Sequence, residues 1–229
     1  MGRILGILAD SFWPLMKAGL LTTVPLTLIS FVLGMVVAFI VAMMRLSKIK
    51  VLSLIAQFYV WVIRGTPLLV QLFFLYFGLP RIGIVLSSET CAIIGLAFLG
   101  GSYMAEAFRS GLEAVPKSQT ESAMSLGMKR MQVFFRIILP QAVATSVPVF
   151  CANVIFLIKE TSVFSAVALA DLVFVAKDLI GISYRTDEAL LMLVASYLVL
   201  LLPVSVLCSL IERRVRYAEF GNTGIVSGN

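Results

Sequence analysis

Arg64, Tyr103, Glu106, Asn153, Glu160, Thr161 and Ser162 are polar side chains set inside or at the ends of long apolar runs. A charge in such a run is costly, so it pairs, reaches water or meets a ligand. Arg64 opens the stretch Arg64-Gly65-Thr66-Pro67, where a helix must break. Its guanidinium either reaches nearby headgroups or receives an anion. Tyr103 and Glu106 stand three apart, on one face of a helix. Glu106 either accepts an ammonium or pairs with Arg109. Glu160 follows Lys159, which either neutralises it or leaves it to a ligand.

This is the chemistry of charge recognition rather than of bond making. The chain has no histidine, hence neither the usual general base nor the commonest metal ligand. Without a nucleophile–base pair, a membrane enzyme is not expected. No G-x-x-x-x-G-K-[ST] phosphate loop is present, so ATP hydrolysis is not expected of this chain either. Cys91, Cys151 and Cys208 all fall in apolar runs, with no metal or disulfide spacing, and read as small buried residues.

The elements that position these residues must cross a membrane. Of the 229 residues, 60% are hydrophobic and 13% charged. Soluble domains carry about 25% charged residues. Uncharged runs cover 18–44, 90–105, 137–158 and 189–211. The first would form a helix of roughly 40 Å, ample for a hydrocarbon core of ~30 Å. A further apolar run, 51–79, is interrupted at Arg64–Pro67 and reads as one broken span. The expected fold is therefore all-α and integral to the membrane, with five spans across 18–215. Residues 1–17 lack a signal-peptide core and read as an interfacial helix with Trp13 at headgroup level. Residues 216–229 form a tail. The net charge of +6 suits membrane orientation better than nucleic-acid binding.

Eleven Lys and Arg residues cluster around 45–50, 109–136 and 213–216, against five on the other face. That bias predicts a periplasmic N-terminus and a cytoplasmic C-terminus. It also puts the polar stretch 113–141 in the cytoplasm. Within this stretch Pro116 can open a helix. Ser118 and Glu121 have capping-box spacing, and Gly127 offers a left-handed stop. A short surface helix over 117–126 is expected, presenting Ser118, Thr120, Glu121, Ala123, Leu126 and Gly127 to a soluble partner.

Glu121, Ala123, Gly127, Ile137, Leu139 and Pro140 resemble the EAA loop of ABC-transporter permeases. Ser122 stands where that motif has its middle alanine. Arg64-Gly65-Thr66-Pro67-Leu68 is similar to the RGTPL signature of permeases for polar amino acids. The resemblance covers about 18–215. It implies a multi-pass permease subunit in the bacterial inner membrane, importing a polar amino acid by alternating access. It further implies that 113–141 holds a coupling helix docked on a separate ATPase, and that Pro140 makes a fixed corner after it. A second permease chain (another copy of this one before a different relative), two ATPase subunits and a periplasmic or lipid-anchored solute-binding protein complete the expected assembly. ATP and magnesium would belong to the ATPase, and this chain would bind no cofactor. In such permeases polar residues of the fourth span line the path, so Asn153 and Glu160 would receive the ammonium of a zwitterion, and Asn153, Thr161 and Ser162 its carboxylate. The competing class is a stand-alone channel or an ion-coupled secondary carrier.

Overall fold

The computed structural model describes residues 12–220. The expected interfacial helix therefore lies largely outside the described residues, as does the end of the tail. From Phe12 onward the chain is already helical and runs unbroken to Leu46 as α1. Residues 12–17 thus prolong the first span instead of forming a separate helix. The reason is packing: Leu15 is fully buried beside Ile158, Leu172, Ala176 and Leu200, while Trp13 stays exposed.

The broken span consists of α2 (Lys50–Gly65) and α3 (Leu68–Ile82), bent by 103°. Then follow α4 (Ser88–Ala114), the surface helix α5 (Lys117–Ser125), α6 (Arg130–Val167), α7 (Leu172–Ser183) and α8 (Thr186–Phe220). Four helices are long and apolar enough to cross a membrane, and the bent pair, a broken span or a re-entrant loop, is a fifth candidate. No strand occurs among the described residues.

The helix α4 is central, and α1 and α6 pack on it. Its N-terminus is capped by Ser87, whose Oγ accepts the Thr90 N–H at 3.2 Å. Gly34 of α1 and Gly101 of α4 face each other. A Cβ on Gly101 would sit 3.1 Å from the Gly34 carbonyl oxygen, and one on Gly34 3.0 Å from the Ala97 oxygen. Small residues let two backbones approach this closely inside lipid, where dispersion rather than water drives packing. The outermost span, α8, turns Leu191, Val194, Leu198 and Leu202 outward. The three cysteines are buried and unbridged.

Between α6 and α8, Asp171 caps α7: its Oδ1 accepts the Phe174 N–H at 2.8 Å. The residue is fully buried, and Oδ2 has no partner. Burial pushes its carboxyl up to about 6, from an ordinary value of 3.8. The folded state then keeps its proton over pH 4 to 6, where the unfolded chain loses it. Stability is therefore full below about pH 4 and falls as pH rises through 6, by about 3 kcal/mol at most. Asp171→Asn keeps a cap acceptor and removes the charge. It is expected to raise thermal stability at pH 8 and leave it unchanged at pH 4, read by melting of the detergent-solubilised protein at both values.

Candidate functional site

The α2–α3 break is built from Gly65, Thr66 and Pro67. Pro67 cannot donate, and its ring disfavours helix at the preceding residue. The carbonyls freed by the break are taken up by Gln71. Its Nε2 donates to the Ile63 oxygen at 2.9 Å, to the Thr66 oxygen at 3.0 Å and to Thr66 Oγ1 at 2.9 Å. Intramembrane breaks persist where freed backbone groups find such partners.

Arg64 ends α2 and turns onto α4. Its Nη2 donates to the Ser102 carbonyl oxygen at 2.5 Å, and the guanidinium carbon lies 4.5 Å from the Tyr103 ring centroid. A guanidinium over a tyrosine face is held by the ring quadrupole. Tyr103 is in turn set edge-on against Phe156 of α6, with centroids 5.5 Å apart. Nε of Arg64 is buried with no acceptor and is out of a solute's reach, so the cation meets the cavity through the exposed part of its guanidinium.

Arg64, Tyr103 and Glu106 line one cavity of about 490 Å³. Ser110 and Gly111 of α4 and Thr145, Ser146 and Val149 of α6 complete its walls. Close α4–α6 contact shapes it: a Cβ on Gly111 would meet the Ala142 oxygen and Ser146 Oγ, each at 2.6 Å. Ser146 Oγ bonds the Ala107 carbonyl across the interface at 3.0 Å. A cation, an aromatic face and hydroxyls around an open groove suit a small polar solute bearing a carboxylate.

Glu106 is not free to receive an ammonium. Arg45 Nη1 donates to its Oε2 at 2.7 Å. Arg109 takes Oε1, through Nε at 3.0 Å and also through Nη2. Of the two readings of Glu106, the pairing with Arg109 is the one realised, and the sequence reading did not anticipate Arg45 at all.

The remaining polar residues stand elsewhere. Asn153 is buried on α6 against Gly100, with Oδ1 unpartnered. Thr161 is buried and donates to the Ile158 carbonyl at 2.8 Å. Glu160 is half-buried at the start of the 3-10 turn Thr161–Val167, and Ser162 contributes its carbonyl to the Ser165 hydroxyl. None of Asn153, Glu160, Thr161 and Ser162 lines the cavity that holds Arg64, Tyr103 and Glu106. No ion pair joins Lys159 and Glu160 among the described residues.

The helix α5 forms nearly where expected. The predicted capping box does not: Pro116 is the N-cap, and Ser118 makes no cap hydrogen bond. Proline's preset dihedral starts the helix two residues too early for Ser118 to serve as its cap. The stop is as anticipated. Gly127 has φ +82. The Met128 N–H reaches the Ala123 oxygen at 3.2 Å, and the Gly127 N–H reaches the Met124 oxygen at 3.0 Å. That pair of bonds is a Schellman motif. Gln141 Nε2 donates to Gln119 Oε1 at 2.6 Å, tying α5 to α6. Ala123 is buried, whereas Glu121, Met124 and Leu126 are exposed, with Leu126 at 84%. Thr120 is half-buried.

Pro140 does not make the expected corner. The helix α6 is continuous from Arg130 through Pro140, with a wide π-turn over Phe134–Ile138. The π-turn shifts the hydrogen-bond pattern just ahead of a residue that cannot donate. The corner is instead at Gly127–Lys129, closed by Gln132 Oε1 accepting the Lys129 N–H at 2.8 Å.

Known proteins share this arrangement. An amino acid ABC transporter solved with histidines superposes with a TM-score of 0.82 at 36% identity, covering 90% of this chain and 96% of that one. The methionine ABC transporter MetNI, inward facing, matches at a TM-score of 0.67 and 20% identity, which shows the fold alone. The L-cystine transport system permease protein TcyB of Bacillus subtilis is 36% identical over 212 residues, 91% of this chain and 90% of its own length. The octopine transport system permease protein OccM of Rhizobium radiobacter is 39% identical over 206 residues, 84% of each. Residues 30–217 match the family described as binding-protein-dependent transport system inner membrane component. With its four membrane-length helices, its bent pair and its exposed, glycine-stopped loop helix, this multi-pass chain belongs to that family of inner-membrane components.

Proposed function

We propose that this chain is the permease subunit of an ATP-driven importer for a polar L-amino acid. The observation that carries the reading is the short helix α5, stopped at Gly127 and turning Glu121, Met124 and Leu126 outward. It presents docking chemistry to a soluble partner at the face where the positive charges lie. An ATPase seated there moves α5 on binding and hydrolysing ATP, and the spans rock between outward-open and inward-open states. Ser118, Thr120, Glu121, Leu126 and Gly127 form the coupling surface, and the buried Ala123 packs the helix beneath it. The solute-binding protein delivers cargo on the opposite side.

The polar-amino-acid cargo is supported by the relatives named for L-cystine and octopine and by the groove, where Arg64 offers a cation fixed by Ser102 and Tyr103. Asn153, Glu160, Thr161 and Ser162 serve as an outer station on the same path. The groove is open along its length, so a second permease chain closes it. Two identical chains with two ATPase subunits are the simplest assembly, because one kind of groove then builds both walls.

Reconstitution of the complex in liposomes tests this. Uptake of a radiolabelled mixture of the common L-amino acids and L-cystine is expected to require the binding protein and ATP, and to vanish with a hydrolysis-dead ATPase. Uptake that persists with the dead ATPase identifies a channel or ion-coupled carrier and rejects the importer.

A further inference from the structure

Four side chains alternate in charge along the cytoplasmic end of α4: Arg45, Glu106, Arg109 and Glu113. Arg45 comes from the last turn of α1 and is bonded to Glu106 at 2.7 Å. Arg109 holds Glu106 on one side and donates to Glu113 Oε2 at 2.6 Å on the other. The chain ends four residues before Lys117, where α5 begins. Arg64 forms no ion pair with it among the described residues, although Arg64 shares one cavity with Glu106 and another with Arg45.

The inner members are neither surface pairs nor dry ones. Side-chain exposure is 23% for Arg45, 34% for Glu106 and 25% for Arg109. Partial desolvation strengthens such pairs over fully exposed ones, which are worth little. Their geometry also supplies what apolar packing lacks. The α1–α4 contact is held by small and aliphatic residues such as Ala38, Ala42, Met104 and Ala105. Burial of that kind is non-directional. It resists separation but tolerates sliding, the shear motion by which packed helices rearrange. A carboxylate with both oxygens occupied by guanidinium groups from two helices does not slide without breaking a bond.

We propose that this charge chain is a strut that locks α1 to α4 against shear, so that displacement of α5 reaches the groove undiminished. Glu106 is then a positioning residue and not a cargo ligand. The strut rests on the importer reading.

The test uses the whole complex in liposomes, with binding protein and the labelled amino-acid mixture, and reads uptake per ATP hydrolysed. Arg45→Gln and Glu106→Gln are each expected to lower that ratio about fivefold, the size of effect seen along coupling networks. For Arg45→Gln, basal hydrolysis and the half-saturating concentration of loaded binding protein stay at wild-type levels. The double variant is expected to fall no further than Glu106→Gln, because members of one unit are not additive. Arg45→Lys retains the charge and most of the ratio. Arg45→Gln leaves Glu106 paired with Arg109, so it remains informative even if Glu106→Gln fails to assemble. A raised half-saturating concentration for Glu106→Gln with an unchanged ratio makes Glu106 a cargo ligand and overturns the strut, as do effects that multiply in the double variant. Wild-type complex lacking ATP-dependent uptake rejects the importer itself. Wild-type coupling with unaltered variants rejects the strut alone.

Discussion

Gly127→Asp is expected to leave the chain folded and to cut both uptake and stimulated ATP hydrolysis by about tenfold, since forcing an L-residue into left-handed backbone costs roughly 1–2 kcal/mol. The backbone at Gly127 has φ +82, and nothing lies within 4 Å of the site where its Cβ would be. Crowding therefore plays no part, and the effect is one of conformation and charge. The Schellman bonds to Ala123 and Met124 exist only while the residue after Leu126 stays left-handed. A carboxylate at this end also opposes the negative end of the helix dipole. Together they shift Leu126, the most exposed apolar side chain of the loop, and with it the docking surface. Gly127→Asn, which tolerates left-handed backbone and adds no charge, is expected to keep most of the activity. Uptake and hydrolysis that both survive Gly127→Asp place the partner contact elsewhere.

Arg64→Met is expected to abolish uptake nearly completely, by about a hundredfold, because a hydrogen bond to a charged group is worth up to ~3 kcal/mol. Basal hydrolysis stays intact, since Arg64 lies apart from α5. Arg64→Lys is the more informative variant. Lysine keeps the charge but loses the planar face that rests on Tyr103 and the fork that serves Ser102. An intermediate loss, about tenfold, follows if the guanidinium's shape matters as well as its charge. Full activity in Arg64→Met returns Arg64 to a structural role at the helix break. Initial uptake rates over a range of loaded binding protein separate the cases: a cargo contact shifts the half-saturating concentration, whereas a lost break lowers the amount of assembled complex.

The parts of the fold that follow from local chemistry were legible from residue order. Five apolar stretches, one interrupted at Gly65–Pro67, became four membrane-length helices and a pair with a 103° bend at that interruption. The helix in the polar loop ended at Gly127 because left-handed backbone favours glycine whatever surrounds it. Cap choice was less legible. Pro116 and Ser118 are both competent to begin α5, and the difference between them is a matter of two residues' register. Pro140 makes no corner for a related reason: the π-turn over Phe134–Ile138 accommodates it within one continuous helix.

Residue order by itself determined that this chain crosses a membrane several times and where its loop helix stops. Those properties depend on transfer energies and backbone preferences that each residue carries with it. Which charges remain available was decided only by the tertiary structure. Glu106 and Arg64 looked alike as candidates, yet Glu106 is paired with Arg45, sixty-one positions away, whereas Arg64 has no carboxylate partner among the described residues and rests over a tyrosine. Pairing across helices depends on distance in space, and periodicity along one helix does not encode it.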